Sequence, residues 1–280
     1  MSEITPPYAE QKKIKQSKVR IGHLLKMKEE GRKWAMLTSY DMYTAQLFEK
    51  AGIPVLLIGD SAANNVFGYE TSLPVTVDEL LPLVRAVARS TERPLIIADL
   101  PFGSYQASPE QCFHTSVRFM KEGLAHAVKL EGGIEMIPQV KKLSSSGIPV
   151  MAHIGFTPQS EHQLSGYKIQ GKEGGGACLV ELAEAFEEAG AFALLVEMVP
   201  ANVGASISNA VKIPVVGIGA GSQCDAQVLV WQDMAGLRTG KLPRFVKQYA
   251  DLNSVLTSAV SNYIEEVENG TFPCIEHEFN

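Results

Sequence analysis

A closed barrel of eight parallel strands alternating with helices, a (β/α)8 fold, is the class this sequence predicts, and three observations predict it. Short apolar segments rich in β-branched residues recur along the chain, most entered through Gly or Pro from a helical stretch. They are near-continuously apolar instead of alternating, as expected of parallel strands covered on both faces. With 280 residues, 45% hydrophobic and 20% charged, the chain has the size and core content of one such barrel.

The elements follow in order. Arg20–Glu30 carries Ile21, Leu24, Leu25 and Met27 at near-helical spacing and is expected to form an N-terminal helix that plugs the barrel bottom. Strands are expected at Trp34–Ser39, Pro54–Gly59, Pro94–Ala98, His126–Leu130, Pro149–Ala152, Phe192–Val196 and Pro214–Ile218. Val228–Gln232 supplies an eighth, although the connection after Gly221 is too short for a full helix. Between strands, Thr76 with Glu79 and Ser108 with Gln111 have capping-box spacing, and Pro109 takes a first helical position. Gly31, Gly52, Gly123, Gly147 and Gly190 stand where left-handed helix caps are needed. Arg244–Glu268 reads as a C-terminal helical extension, with Tyr249, Leu252, Leu256 and Tyr263 available for packing. Residues 1–19, with Lys12, Lys13, Lys15 and Lys18 among polar neighbours, read as a flexible arm; residues 20–280 read as one barrel domain. An open doubly wound sheet is the alternative, but it calls for a glycine-rich fingerprint after an early strand, whereas Gly217, Gly219 and Gly221 fall late and lack a following helix.

Composition narrows the function. A net charge of −6 argues against nucleic acid as a partner, because phosphate backbones are held by clustered excess Lys and Arg. Apolar runs such as residues 189–196 are far shorter than the roughly 18–20 residues a membrane span needs. Cys112, Cys178, Cys224 and Cys274 form no C-x-x-C pair and are expected to be buried thiols, and with no secretory pattern at the N-terminus the protein is expected in the cytoplasm.

In an α/β barrel the catalytic groups stand at the C-terminal ends of the strands. There the sequence offers Tyr40 and Asp41, Asp60 and Ser61, Asp99, Lys129 and Glu131, His153, Glu197 and Asp233, in strand order. Asp41 has an ordinary reading as a helix N-cap, Asp233 is ambiguous, and His153 alone reads as a core histidine. The carboxylates of Asp60, Asp99, Glu131 and Glu197 are harder to dismiss together, since anions converging on one cavity repel unless a cation compensates. Oxygen ligands with few His and no Cys favour Mg²⁺ or another hard divalent cation over Zn²⁺. Lys129 suggests a rival Schiff-base mechanism, but nearby acids would keep it protonated, which favours a charge-balancing role. Residues 160–176, long and Gly-rich after the fifth strand, have the character of a lid.

Taken together, "MLTSYD", "LLIGDSAANNVFGYETSLPVTVDEL", "ADLPFGSY", "VKLEGG", "MAHIGFTPQS", "GYKIQG", "VEMVP" and "VGIGAG" resemble, in order, the ketopantoate hydroxymethyltransferases, from about Lys33 to the C-terminus. The resemblance implies a barrel of the phosphoenolpyruvate/pyruvate-binding type that transfers a hydroxymethyl group from 5,10-methylenetetrahydrofolate to 3-methyl-2-oxobutanoate. The product would be 2-dehydropantoate, for pantothenate and coenzyme A synthesis. It implies Mg²⁺ at Asp60 and Asp99, with Glu131 acting through water. Substrate would be held by Asp60, Asp99, Ser61, Lys129 and His153, Glu197 would be the general base, and the protein would be a homo-oligomer, as the family's paired pentameric rings are. Ser165 stands where the family more commonly has glycine, and Ala201 and Asn202 where an acidic residue is common. A folate-independent metal-dependent 2-oxo acid lyase of the same barrel type and a non-catalytic small-molecule-binding barrel are the alternative readings.

Overall fold

The computed structural model describes residues 17–172 and 174–279. Its core is a closed barrel of parallel strands in sequential order. The strands are β1 (Trp34–Thr38), β2 (Val55–Ile58), β3 (Leu95–Asp99), β4 (Ala127–Glu131), β5 (Val150–Gly155), β6 (Ala193–Glu197), β7 (Val215–Ile218) and β8 (Ala226–Leu229). The eighth strand lies two residues earlier than the sequence suggested. Trp34 pairs with Ala226 and Leu37 with Leu229, so closure onto β1 fixes the register. Trp231 and Gln232, expected in the strand, belong to a single helical turn.

Helices alternate with the strands and extend beyond them at both ends of the chain. They are α1 (Ile21–Glu29), α2 (Met42–Ala51), α3 (Val77–Ser90), α4 (Pro109–Lys121), α5 (Ile137–Ser145), α6 (Gly176–Glu188), α7 (Ala201–Ala210), α8 (Trp231–Met234) and α9 (Leu252–Glu268). Thr76 and Glu79 form the reciprocal capping box at α3. At α4 only half of the expected box forms: Ser108 accepts from the Gln111 N–H, while the Gln111 side chain accepts from Ala107 and donates to the Gly103 carbonyl. Gly31, Gly52, Gly147 and Gly190 have positive φ as expected, but after α4 Leu124 takes the left-handed position instead of Gly123.

Alternate strand residues split into two cores. Leu56, Ile58, Ile96, Ala98, Val128, Leu130, Val150, Ala152, Leu194 and Val196 face the helices. Met36, Val55, Leu57, Leu95, Ile97, Ala127, Met151, Ala193, Leu195, Val216 and Val228 fill the barrel, where Leu24 of α1 joins them fully buried. α1 therefore plugs the barrel bottom as its apolar spacing predicts.

The expected arm falls largely on residues 1–16, which lie outside the described residues. Val19, just after them, is buried and donates its N–H to the Arg93 carbonyl. The C-terminal extension departs from expectation, because the helix begins only at Leu252 and none of its residues is buried. Val255, Leu256, Val260, Tyr263, Ile264 and Val267 instead present an apolar stripe to the outside. Of the cysteines, Cys112 and Cys224 are buried as expected, whereas Cys178 and Cys274 are exposed; all are free.

At the barrel bottom, His126 accepts the Ile96 N–H through Nδ1, and its pKa is pushed down to about 4 by burial and by the charges of Lys18 and Arg20. A base depressed on folding contributes stability above its unfolded pKa of about 6.5 that is lost as pH falls toward 4. Partial solvent exposure limits this to roughly 1–2 kcal/mol. The His126 ring proton resonances are expected to show no NMR inflection above pH 5; an ordinary midpoint near 6.5 would refute the assignment.

Candidate active site

In four consecutive strands, β3 to β6, the inward-facing series turns from apolar to charged or titratable at the C-terminal end. In β3 the series runs Leu95, Ile97, Asp99; in β4, Ala127, Lys129, Glu131; in β5, Met151, His153; in β6, Ala193, Leu195, Glu197. Strand register sets Asp99 beside Lys129 and Glu131 beside His153. The same alternation that fills the barrel with hydrocarbon thus delivers its ionisable groups to one mouth.

Asp60 and Ser61 arrive from the turn after β2. Gly59 leaves room for both side chains, since a Cβ there would lie 2.6 Å from Ser61 Oγ and 3.3 Å from Asp99 Oδ2. Asp99 Oδ2 accepts the Asp60 N–H at 3.0 Å, and Ser61 Oγ lies 2.8 Å from the Tyr40 hydroxyl. Gly155, with φ 92°, lets β5 close on β6: a Cβ there would meet the Glu197 carbonyl oxygen, which instead accepts the Phe156 N–H.

Lys129 Nζ is the central cation. It lies 3.2 Å from Asp99 Oδ1, 3.4 Å from Glu131 Oε1 and 3.2 Å from His153 Nδ1. Burial alone would lower its pKa, but the charges of Asp99, Glu131 and Asp60 outweigh burial and hold it above the usual lysine range. It is an ammonium, not the free amine that Schiff-base chemistry requires. His153 Nδ1 lies 3.0 Å from Glu131 Oε1, and its Nε2 stands 3.3 Å from Glu197 Oε2, near enough for an ion pair but not aligned as a hydrogen bond. Burial and Lys129 oppose its protonation, yet Glu131 and the contacts to both carboxylates raise its pKa to about 9. Glu131 goes the other way: burial is overcome by His153 and Lys129, and its pKa falls to about 2.

Asp60 is pushed up to about 7, first by burial and then by the charges of Glu131 and Asp99. Asp99 is also raised, chiefly by burial, with Lys129 opposing. Fully ionised, the four carboxylates would exceed Lys129 and His153 by two negative charges. Asp99 Oδ1 is buried with no hydrogen bond, only the ion contact to Lys129. Among the described residues no three His, Cys, Asp or Glu side chains are already gathered as a ligand set. The excess charge and the open Asp99 oxygen nevertheless fit a divalent cation that takes one or two carboxylates and draws its other ligands from substrate and water.

One hub gave no separate signal in the sequence. Gln159, 5% exposed in the turn after β5, donates from Nε2 to Asp60 Oδ2 at 2.9 Å and to the Leu100 carbonyl. Its N–H binds Glu131 Oε2 at 3.0 Å, and its Oε1 accepts from Tyr105 at 2.7 Å. Asp41 stands apart as the N-cap of α2, accepting from Tyr43 and Thr44. Asp233, buried on α8, lies 3.6 Å from the Arg238 guanidinium. The segment expected to act as a lid has Ser165 at φ 58°, the left-handed conformation that glycine adopts without strain, and its Gln170 N–H donates to the Met198 carbonyl just after β6.

Residues 18–274 match the model of the family described as ketopantoate hydroxymethyltransferase. A 3-methyl-2-oxobutanoate hydroxymethyltransferase of a Nocardioides species is 64% identical over 262 residues, covering 94% of this chain and 89% of that protein. The Mycobacterium leprae protein of the same name is 57% identical over 266 residues, covering 95% and 93%. Among solved structures, phosphonopyruvate hydrolase in complex with oxalate and Mg²⁺ superimposes with a TM-score of 0.60 at 15% identity, covering 91% of this chain and 92% of that one. For 2,3-dimethylmalate lyase, a member of the PEP mutase/isocitrate lyase superfamily, the TM-score is 0.57 at 13% identity, with 93% and 91% covered. Likeness at such identity shows the shared barrel fold.

Proposed function

The chain belongs to the ketopantoate hydroxymethyltransferase family, and from that premise we propose how its barrel mouth performs the transfer and which residues carry it. The protein is a hydroxymethyltransferase of pantothenate biosynthesis. The convergence of Asp60, Asp99, Lys129, Glu131, His153 and Glu197 on one buried cluster carries the assignment of roles.

Asp60 and Asp99 would hold a divalent cation, Mg²⁺ being the natural candidate, which when bound polarises the oxygens of the 2-oxo acid and stabilises negative charge developing there. Glu131 is engaged by Lys129, His153 and Gln159, so it would support a metal site without being a direct ligand. Ser61, beside Tyr40, and Lys129 bind the oxygens of 3-methyl-2-oxobutanoate. Lys129 brings a permanent positive charge where the enolate oxygen develops negative charge. Glu197, the least enclosed of the four carboxylates, removes the C3 proton at its Oε2, and His153 orients that carboxylate and a substrate oxygen. The resulting enolate carbon attacks the iminium form of 5,10-methylenetetrahydrofolate, and water then replaces the folate nitrogen on the transferred carbon as that C–N bond breaks, giving the hydroxymethyl group and tetrahydrofolate.

The test is a turnover assay with 3-methyl-2-oxobutanoate and methylenetetrahydrofolate, with and without added Mg²⁺. Formation of 2-dehydropantoate only with both substrates, lost on EDTA treatment and restored by Mg²⁺, is expected. Carbon–carbon bond chemistry on the oxo acid without folate would mark a lyase instead, and EDTA-insensitive turnover with borohydride trapping on Lys129 would remove the metal mechanism.

No helix among the described residues is long and apolar enough to cross a membrane. Four free cysteines support a cytoplasmic setting, and the uncovered apolar stripe of α9 supports a homo-oligomer in which other copies bury it. A decamer of paired rings is the assembly the family suggests.

A further inference from the structure

The lid carries an aromatic ring that the chemistry above does not use. Tyr167 is 69% exposed, yet its ring is stacked at 4.7 Å, tilted by 34°, on Phe156, which is fully buried just beyond β5. The lid is tied down three residues later, where the Gln170 N–H donates to the Met198 carbonyl at 2.9 Å. Met198 directly follows Glu197 and holds a positive φ of 48°, so the lid is anchored to the backbone that presents the base. The Tyr167 hydroxyl is raised above its usual range first by partial burial and then by Glu161, Glu197 and Asp60, with Arg238 opposing. The stack on Phe156 and the Gln170 tie beside Glu197 hold the ring at the C-terminal ends of β5 and β6, where the acidic cluster lies. A large aromatic surface left open to solvent but fixed from behind costs little further ordering when a flat ligand covers it.

Arg238, whose charge acts on the Tyr167 hydroxyl, forms a loose pair with Asp233. The guanidinium is half exposed and its nearest nitrogen is 3.6 Å from Asp233 Oδ1, too long for a hydrogen bond; that buried oxygen has no donor. A half-exposed donor with a buried acceptor behind it therefore stands within electrostatic reach of the aromatic ring. The 2-amino-4-oxopyrimidine edge of a pterin presents a carbonyl acceptor that such a donor can meet.

We propose that Tyr167 is the stacking platform for the pterin ring of the folate cosubstrate, with Arg238, backed by the buried Asp233, donating to the carbonyl edge of that ring. Stacking there sets the one-carbon unit over the mouth, facing the carbon from which Glu197 takes its proton. The assignment rests on the folate reading given above and adds the residues that grip the cosubstrate.

The experiment is steady-state kinetics of Tyr167→Ala, Tyr167→Phe and Arg238→Ala with both substrates varied. Tyr167→Ala is expected to raise KM for methylenetetrahydrofolate about tenfold or more, as loss of a stacking face does elsewhere. KM for 3-methyl-2-oxobutanoate should move far less, and exchange of its C3 proton, which needs no folate, should fall by a smaller factor than turnover. Tyr167→Phe, which keeps the ring, should restore the folate KM, and Arg238→Ala should raise it. An unchanged folate KM in Tyr167→Ala, or equal losses on both substrates, overturns the platform while leaving folate dependence intact. A wild-type enzyme that turns over the oxo acid without folate overturns both.

Discussion

Exchange of the C3 proton of 3-methyl-2-oxobutanoate is expected to fall by about 10²–10⁴-fold in Glu197→Gln, equivalent to roughly 3–5 kcal/mol of lost general-base catalysis. The substitution is nearly isosteric, so the 3.3 Å approach to His153 Nε2 can persist while the proton acceptor is removed. Binding of the oxo acid, measured calorimetrically, should be largely retained, because the proposed roles give its oxygens to Ser61, Lys129 and the metal site. NMR-monitored exchange in deuterated water is the direct readout. Near-normal exchange would remove Glu197 from the base role and turn attention to the other groups at the mouth.

Lys129→Met is expected to be costly to the fold as well as to catalysis. Lys129 is 3% exposed, and its ammonium is the shared counter-charge of Asp99 and Glu131. Removing one partner of a buried ion cluster leaves its desolvated charges uncompensated, typically at about 3–5 kcal/mol. In EDTA-treated protein, where no divalent cation substitutes for the lysine, this should appear as a melting point lower by about 10 °C. The double variant Lys129→Met/Glu131→Gln should recover part of that loss, because the residues are coupled through one network. Equal stability of wild type and the single variant would show that the cluster is not organised around the lysine.

These two effects separate what could be read linearly from what required folding. The strand-end acids and Lys129 stand out in the sequence because each interrupts or ends an apolar run, and strand periodicity then places them at one end of the barrel. Gln159 does not stand out: it lies in an irregular turn with no periodicity, and its contacts to Asp60 and Glu131 span 99 and 28 residues of chain. Tyr167 likewise gives no pattern on its own, since its platform exists only because Phe156 lies beneath it and Met198 holds the lid. The eighth strand was displaced for a similar reason. Local composition favoured the apolar run at Val228–Gln232, but hydrogen bonding to β1 and β7 selected Ala226–Leu229.

The C-terminal helix shows the limit most plainly. Its apolar spacing signals a surface that needs covering, and the fold of one chain leaves it uncovered. The sequence by itself determined the barrel class, the polarity of its two ends and the residue types brought to the mouth, because these follow from local periodicity and from helix caps a few residues apart. Only the tertiary structure decided the protonation of those residues and their partners. Charge states at the mouth depend on burial and on distances of about 3 Å between groups from different strands, which local pattern does not encode.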